Sequence, residues 1–255
     1  MKESDSIRYS RQIILDEIGE PGQKTLSKAK VLVIGAGGLG CPVIQSLSAA
    51  GVGQIGIVDG DFVETTNLHR QWLFNSSDLG KLKAEVAARA AMNINENVRA
   101  IAYAKYLDLE LALELFPQYD VIIDGTDNYE TRYLTNDIAV IKNKTLVSGA
   151  VYKYEGQVSV FNYQDGPTYR CLFPNEKSLG FGCAATGVLG ATTAIIGNMM
   201  AMETIKVLLS LKNVLSGKML IYNSLNNQQM ISSFDRDPEQ VQKAYSIIEK
   251  KSVVE

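Results

Sequence analysis

Two rhythms of apolar and polar residues run along this chain, and where one gives way to the other the elements can be read off. Short apolar runs recur at residues 31–34, Gln54–Val58, 98–103, Val121–Asp124 and 145–148. Each is hemmed in by glycine or polar residues and reads as a strand buried in a parallel sheet. Between them, apolar residues fall at helical spacing. The helices predicted there are 39–50, with Pro42 tolerated in its first turn, one capped by Asp78 and running to about Asn93, a short one at 109–116, and Tyr129–Ile141. Residues 8–26 read as helical pieces with Ile13, Ile14 and Ile18 at helical spacing.

Strand and helix alternate over residues 30–150, roughly, which predicts an α/β fold: a Rossmann-like parallel sheet with helices on both faces. The pattern then changes. Residues 157–161 alternate apolar and polar, and 218–222 with 229–234 read as a hairpin around Asn226-Asn227. A glycine-rich loop at about 165–185 and a long helix from Gly187 to about Leu211 lie between. These C-terminal antiparallel strands are expected to extend the same sheet within a single domain over 1–255: a first half over about 30–150, a second over about 151–235 and a tail helix over 236–255. In the tail, Val241, Tyr245 and Ile248 share a helical face that is expected to dock on the surface.

Composition narrows the classes. With 255 residues, 46% hydrophobic and 21% charged, the chain matches a soluble globular protein with a sizeable core. A formal net charge of -3 argues against nucleic acid. The most apolar later stretch, 187–202, is short of a membrane span and runs straight into Glu203 and Lys206, so no membrane partner is expected. The N-terminus has no apolar core of signal-peptide type. Cys41, Cys171 and Cys183 lie far apart with no CxxC pair, which points to a reduced, cytoplasmic setting.

The candidate chemistry begins at Gly35-Ala36-Gly37-Gly38-Leu39-Gly40, which fits G-x-G-x-x-G between a predicted strand and a predicted helix. Gly35, Gly37, Gly38 and Gly40 let the backbone approach a phosphate, and the helix N-terminus offers unpaired N–H groups. Asp59 closes the next strand, where a carboxylate can hold ribose hydroxyls. Alone, this motif suits a dehydrogenase, or a turn serving only chain geometry. The residues beyond Asp59 suit a triphosphate with Mg2+ better. Asp61, Thr66-Asn67-Leu68-His69-Arg70-Gln71 and Lys83 come next, and Asp127-Asn128 comes after the strand ending at Asp124. Cations neutralise phosphate oxygens, and a second carboxylate supplies an oxygen ligand for the metal. Singly, Arg70 and Lys83 read equally well as solvated charges and Asp127 as a helix cap; together they favour a site. His69, the single histidine, reads as a packing or polar residue rather than a base.

In this order and spacing the chain resembles the ThiF/MoeB/HesA family, bacterial relatives of ubiquitin-activating enzymes. The matching elements open with Arg8-Tyr9-Ser10-Arg11-Gln12-Ile13, the glycine loop, Ala50-Gly51-Val52-Gly53 and Asp59-Gly60-Asp61. They continue through Asn67-Leu68-His69-Arg70-Gln71, Lys83, Gly125-Thr126-Asp127-Asn128, Glu155-Gly156-Gln157 and Tyr169-Arg170-Cys171-Leu172. Cys183, Gly187-Val188-Leu189-Gly190 and Ala201-Met202-Glu203 close a match running from about Arg8 to Asn223.

The resemblance implies an ATP-dependent adenylyltransferase acting as a homodimer, with about 30–150 as its nucleotide-binding half and about 151–235 as its carrier-protein-binding half. Its substrate would be the C-terminal Gly-Gly carboxylate of a small ubiquitin-fold sulfur-carrier protein, activated with release of pyrophosphate for sulfur transfer in thiamine or molybdopterin biosynthesis. By position it implies Asp59 for the ribose, Asn67, Arg70 and Lys83 for the phosphates, and Asp127 for Mg2+. It implies that Arg11 reaches the partner's triphosphate; on the residues alone Arg11 is a helix surface charge. Cys183 matches a cysteine that in some relatives takes part in thiol chemistry after adenylation, and reads equally as a small buried apolar residue.

The chain also departs from the family. Many relatives hold a structural zinc with two CxxC pairs. Here one pair is reduced to Thr168-Tyr169-Arg170-Cys171 and no cysteine follows Cys183, so no zinc is expected and the tail helix is expected to fasten the C-terminus instead. No appended sulfurtransferase domain is expected. Two alternatives stay open: the same fold adenylating a peptide or another ubiquitin-like modifier, and a nucleotide-binding dehydrogenase or inactive scaffold.

Overall fold

Parity sorts the side chains of the central strands. In β1 (Lys30–Ile34), Val31 and Val33 join one core while Leu32 and Ile34 join another on the opposite face. β2 (Gln54–Val58) does the same, with Ile55 and Ile57 on the first side and Val58 on the second. Strands buried on both faces need helices on both. The computed structural model describes residues 3–174 and 187–252 and has that architecture.

The sheet has eight strands in the order β3-β2-β1-β4-β5-β6-β7-β8. β3 (Arg99–Tyr103), β4 (Val121–Asp124) and β5 (Thr145–Tyr152) run parallel to β1 and β2. β6 (Glu155–Phe161), β7 (Lys218–Asn223) and β8 (Gln228–Ser233) continue the sheet antiparallel. Three short helices precede it: α1 (Glu3–Arg8), α2 (Ser10–Ile13) and α3 (Gly19–Leu26). α4 (Gly40–Ala50), α5 (Lys83–Ile94) and α9 (Gly190–Leu208) supply buried residues to the first core. α6 (Leu109–Leu115) and α7 (Tyr129–Ile141) cover the other face, beside the one-turn α8 (Tyr169–Leu172). No described helix is long and apolar enough to cross a membrane.

Several predicted boundaries move. Asp78 caps no long helix. It ends a 3-10 turn, Ser76–Asp78, and turns its buried carboxylate to Lys81 and Arg89. α5 begins only at Lys83 because residues 63–81 form a closed loop. There the Val63 amide donates to the Lys81 carbonyl at 2.9 Å, the Gly80 amide donates to the Val63 carbonyl at 2.9 Å, and Phe62 bridges Leu82. Phe74 of that loop is buried in the first core, and Gln71 is buried too. α9 is shorter than the helix predicted from Gly187 to Leu211. A bridge from Lys153 to Val188 holds its approach extended, and Ser210 turns left-handed at φ 52° just past its end. β5 runs on to Tyr152 because β6 pairs with it along its whole length.

The tail forms α10 (Pro238–Ser252), which packs on α7 with Val241 and Ala244 buried beside Val140. Tyr245, predicted on the buried face, is 41% exposed. The Cys171 thiol accepts the Asp237 amide at 3.3 Å and so ties the start of α10 to α8.

Candidate active site

Strand order reverses between β1 and β4, and in an open parallel sheet ligands bind beyond the carboxyl ends of the strands at that point. A cleft of about 790 Å³ opens there. The first wall is the glycine loop. Gly35 adopts φ 88°, which few side chains tolerate, and a Cβ on Gly40 would come within 1.9 Å of the Gly35 carbonyl oxygen. The tight turn aims α4 at the cleft. Gly35, Gly37 and Gly38 line it, whereas Gly40 packs behind and is not among the lining residues.

Asp59 stands at the end of β2, its Oδ2 accepting from the Ala36 amide at 2.7 Å and its Oδ1 from the Asp61 amide at 2.8 Å. Burial pushes its carboxyl above the ordinary carboxylate range, and the two amides pull back only part of that. Each oxygen keeps further acceptor capacity, and Asp59 lines the cleft.

Lys83, at the first turn of α5, is buried and donates from Nζ to Asp61 Oδ2 at 2.9 Å. Tyr106 Oη donates to Asp61 Oδ1 at 2.6 Å. Burial pushes Asp61 up, but the Tyr106 and Lys83 hydrogen bonds and the Lys83 charge outweigh it, leaving the carboxyl below its ordinary value. The closed loop carries Arg70, whose Nη1 donates to the Thr66 carbonyl at 2.8 Å and to His69 Nε2 at 2.9 Å. His69 therefore uses that ring nitrogen as an acceptor. Asn67 lines the cleft while its Oδ1 accepts the Glu64 amide, leaving its NH2 group as a donor.

On the β4 side, Asp124 Oδ1 accepts from the Thr126 amide at 2.9 Å and its hydroxyl at 2.6 Å, while its buried Oδ2 has no partner. That turn presents Asp127 on the cleft wall, exposed. Asn128 lines the wall too and caps α7 by accepting the Thr131 amide at 2.8 Å. Among the described residues no group of three or more acidic, histidine or cysteine side chains gathers. Asp127 is the carboxylate available on that wall.

The cleft thus gathers Asp59, Asp61, Asn67, Arg70, Lys83, Asp127 and Asn128 with the glycine loop. Thr66 contributes a carbonyl to Arg70 and does not itself line the cleft. Arg11 lies exposed on α2 and is not a lining residue of its own chain's cleft. Cys183 falls outside the described residues. Sequence reasoning missed Lys105, Tyr106, Arg132 and Lys153, which also line the cleft. Arg132 Nη2 donates to the Thr126 and Gly149 carbonyls and so holds the Asp127 turn against β5. The signal available for Tyr106 was its place just after β3, at a strand's carboxyl end.

The arrangement can grip a polyanion between backbone amides and two cations, with one exposed carboxylate beside them. The ThiF family matches residues 9–243 of the chain. A Thermus thermophilus sulfur carrier protein adenylyltransferase is 48% identical over 225 residues, covering 86% of this chain and 83% of that protein. A Culex quinquefasciatus adenylyltransferase and sulfurtransferase MOCS3 is 47% identical over 225 residues, covering 88% of this chain and 51% of it, so the chain spans about half the length of that relative. The crystal structure of E. coli MccB with ATP matches at a TM-score of 0.79 and 24% identity, over 91% of this chain and 72% of that one, a likeness of fold. On its match from Tyr9 to Lys243 and its identity to these relatives, the chain belongs to the ThiF family.

Proposed function

We propose that this chain is an ATP-dependent adenylyltransferase for the C-terminal Gly-Gly carboxylate of a small ubiquitin-fold sulfur-carrier protein. One observation carries the reading: the glycine loop, Asp59, Arg70, Lys83 and Asp127 line one cleft, in a chain 48% identical to a named sulfur carrier protein adenylyltransferase. The same relatives favour it over a peptide-adenylating enzyme or a dehydrogenase.

In the reaction a carboxylate oxygen of the carrier attacks the α-phosphorus of ATP. The bond from that phosphorus to the bridging oxygen breaks, and pyrophosphate leaves with the electron pair. The carrier is left as an acyl adenylate. The nucleophile is already ionised, so no base is required, in keeping with a His69 occupied by Arg70. Charge collects on the pyrophosphate oxygens, where Arg70, Lys83 and the Asn67 amide are suited to offset it. Asp59 is suited to hold the ribose.

Mg2+ is commonly held by one or two carboxylates together with substrate phosphates and water, and the exposed Asp127 would suit that role. When bound, the ion supplies positive charge against the phosphate oxygens. We assign Arg11 to the partner's triphosphate in a homodimer, since it is exposed and apart from its own cleft. The setting we assign is the cytoplasm, and the pathway is thiamine or molybdopterin biosynthesis. Cys183 remains a candidate for a covalent link to the carrier; Cys183→Ser should then keep pyrophosphate exchange and lose any reducible adduct.

The test is ATP–pyrophosphate exchange with Gly-Gly carriers, beside an NAD(H) binding control. Exchange that depends on the carrier is expected. NAD(H) binding without exchange overturns the reading.

A further inference from the structure

The cations of the cleft differ in how far they are already committed. Lys83 is held by Asp61, Arg70 by the Thr66 carbonyl and His69, and Arg132 by the Thr126 and Gly149 carbonyls. Lys105 has no such ion pair among the described residues, but it lines the cleft just beyond β3, on the Asp59 side. Lys153 lines the same cleft with no carboxylate at ion-pair distance among the described residues. Its ammonium lies 5.3 Å from the centroid of the Tyr152 ring, a contact that steadies a cation without neutralising it.

Its backbone is unusual as well. Lys153 is the first residue of the two-residue turn closed by the Tyr152–Glu155 pair, with φ at 56°. That left-handed region favours glycine, then Asn and Asp. The other described non-glycine residues there are Asn, Asp, Gln and Ser, so Lys153 is the one cation among them. The turn is also fixed in place by the bridge to Val188. A costly conformation kept for a long charged side chain on a cleft wall points to function rather than folding.

Position says which function. Asp59 and the glycine loop occupy the β2 and β1 ends, while Lys153 follows β5, three strand spacings from β2. At about 4.8 Å per spacing that is roughly 15 Å. A nucleotide seated by Asp59 and the glycine loop leaves the β4–β5 side for the second substrate. That substrate's reacting group is an anion, and it must approach another anion past Asp127. A free cation on that side lowers the electrostatic barrier to approach and holds the group in place for attack.

We propose that Lys153 receives the terminal carboxylate of the carrier and positions it against the α-phosphate. This rests on the adenylating reading. The test uses a Gly-Gly sulfur-carrier protein active in exchange and the same protein ending in a carboxamide, each titrated against wild type, Lys153→Gln and Lys153→Gly. Glycine suits the φ of 56°, so that variant removes the cation while relaxing the turn. The carboxylate form should bind both variants about tenfold more weakly than wild type. The carboxamide form should bind all three alike, and KM for ATP should stay within about twofold. Equal weakening of both forms, unchanged binding of the carboxylate form, or a rise confined to KM for ATP overturns the proposal. A wild type that exchanges no pyrophosphate with any carrier overturns the adenylating reading, and this proposal with it. An exchange-competent wild type with Lys153-independent binding overturns this proposal alone.

Discussion

Lys83 and Asp61 are joined twice: Nζ to Oδ2 at 2.9 Å, and the Lys83 amide to the Asp61 carbonyl at 2.9 Å. The lysine side chain is 7% exposed and the aspartate 49%. The pair is lopsided, with a buried cation depending on a half-open anion.

That asymmetry predicts different outcomes for its two deletions. Asp61→Ala leaves a buried ammonium uncompensated and should cost about 1–3 kcal/mol of stability in urea melts. Lys83→Met keeps the apolar stem and should stay near wild-type stability, yet lower pyrophosphate exchange about a hundredfold or more. A Lys83→Met enzyme with normal exchange would remove Lys83 from the phosphate site.

Arg11 and Asp127 are predicted to complement each other across the proposed homodimer. Asp127→Ala should fold normally, because the side chain is exposed, and should form no adenylate. Arg11→Ala should be similarly inactive. Mixing the two chains should restore up to about a quarter of wild-type exchange, since half of random dimers are mixed and each mixed dimer holds one complete site of two. The measurement is exchange after proven subunit mixing; its failure to recover places Arg11 outside the site.

Asp59 predicts a pH dependence. Its carboxyl is raised above 3.8 in the fold, chiefly by burial, so the folded state binds that proton more tightly than the unfolded chain. Its contribution to stability therefore falls as pH climbs from 3.8 through the raised value and levels off above it. In the proposed ribose-holding role the ionised form is the one that binds, so kcat/KM for ATP should drop on the acid side at a pH above 3.8. Asp59→Asn should lose both the affinity and that acid limb. An unchanged limb in the variant assigns it to another group.

Cys41 should be inert. Burial pushes its thiol up to about 12, and it donates to the Ala36 carbonyl beneath the glycine loop. Iodoacetamide at pH 8 should leave Cys41 unmodified in the native enzyme, as read by peptide mass mapping, and modify it on unfolding. Fast native labelling of Cys41 would mean that the glycine-loop helix opens readily.

The sequence reveals what depends on local pattern. The glycines from Gly35 to Gly40, Asp59 at a strand end and Lys83 on the following helix are legible because the strand–loop–helix rhythm assigns them positions, though the helix start at Lys83 is not. The parallel sheet and its antiparallel extension come from the same rhythm. What needs distant partners stays hidden. Asp78 looks like a helix cap until Lys81 and Arg89 are seen sharing its carboxylate. Tyr245 shares a helical stripe with Val241, but it is Ala244 that meets α7. Arg132 carries no motif; its task, holding Thr126 and Gly149 together, exists only once β4 and β5 lie side by side.

The closed loop of residues 63–81 has a consequence for motion. Its two ends meet at Val63, Gly80 and Lys81, and Val63 and Phe74 anchor it in the core that β1, β2, α4 and α5 share. A compact loop of this kind opens as one cooperative unit, with a free energy below that of the central strands. Arg70 therefore sits on a segment whose opening has to draw Phe74 out of the core it shares with β1 and β2. In hydrogen exchange, the hydrogen-bonded Arg70, Gln71 and Phe74 amides would share one opening rate, and a bound polyanion gripped by Arg70 would slow all three together.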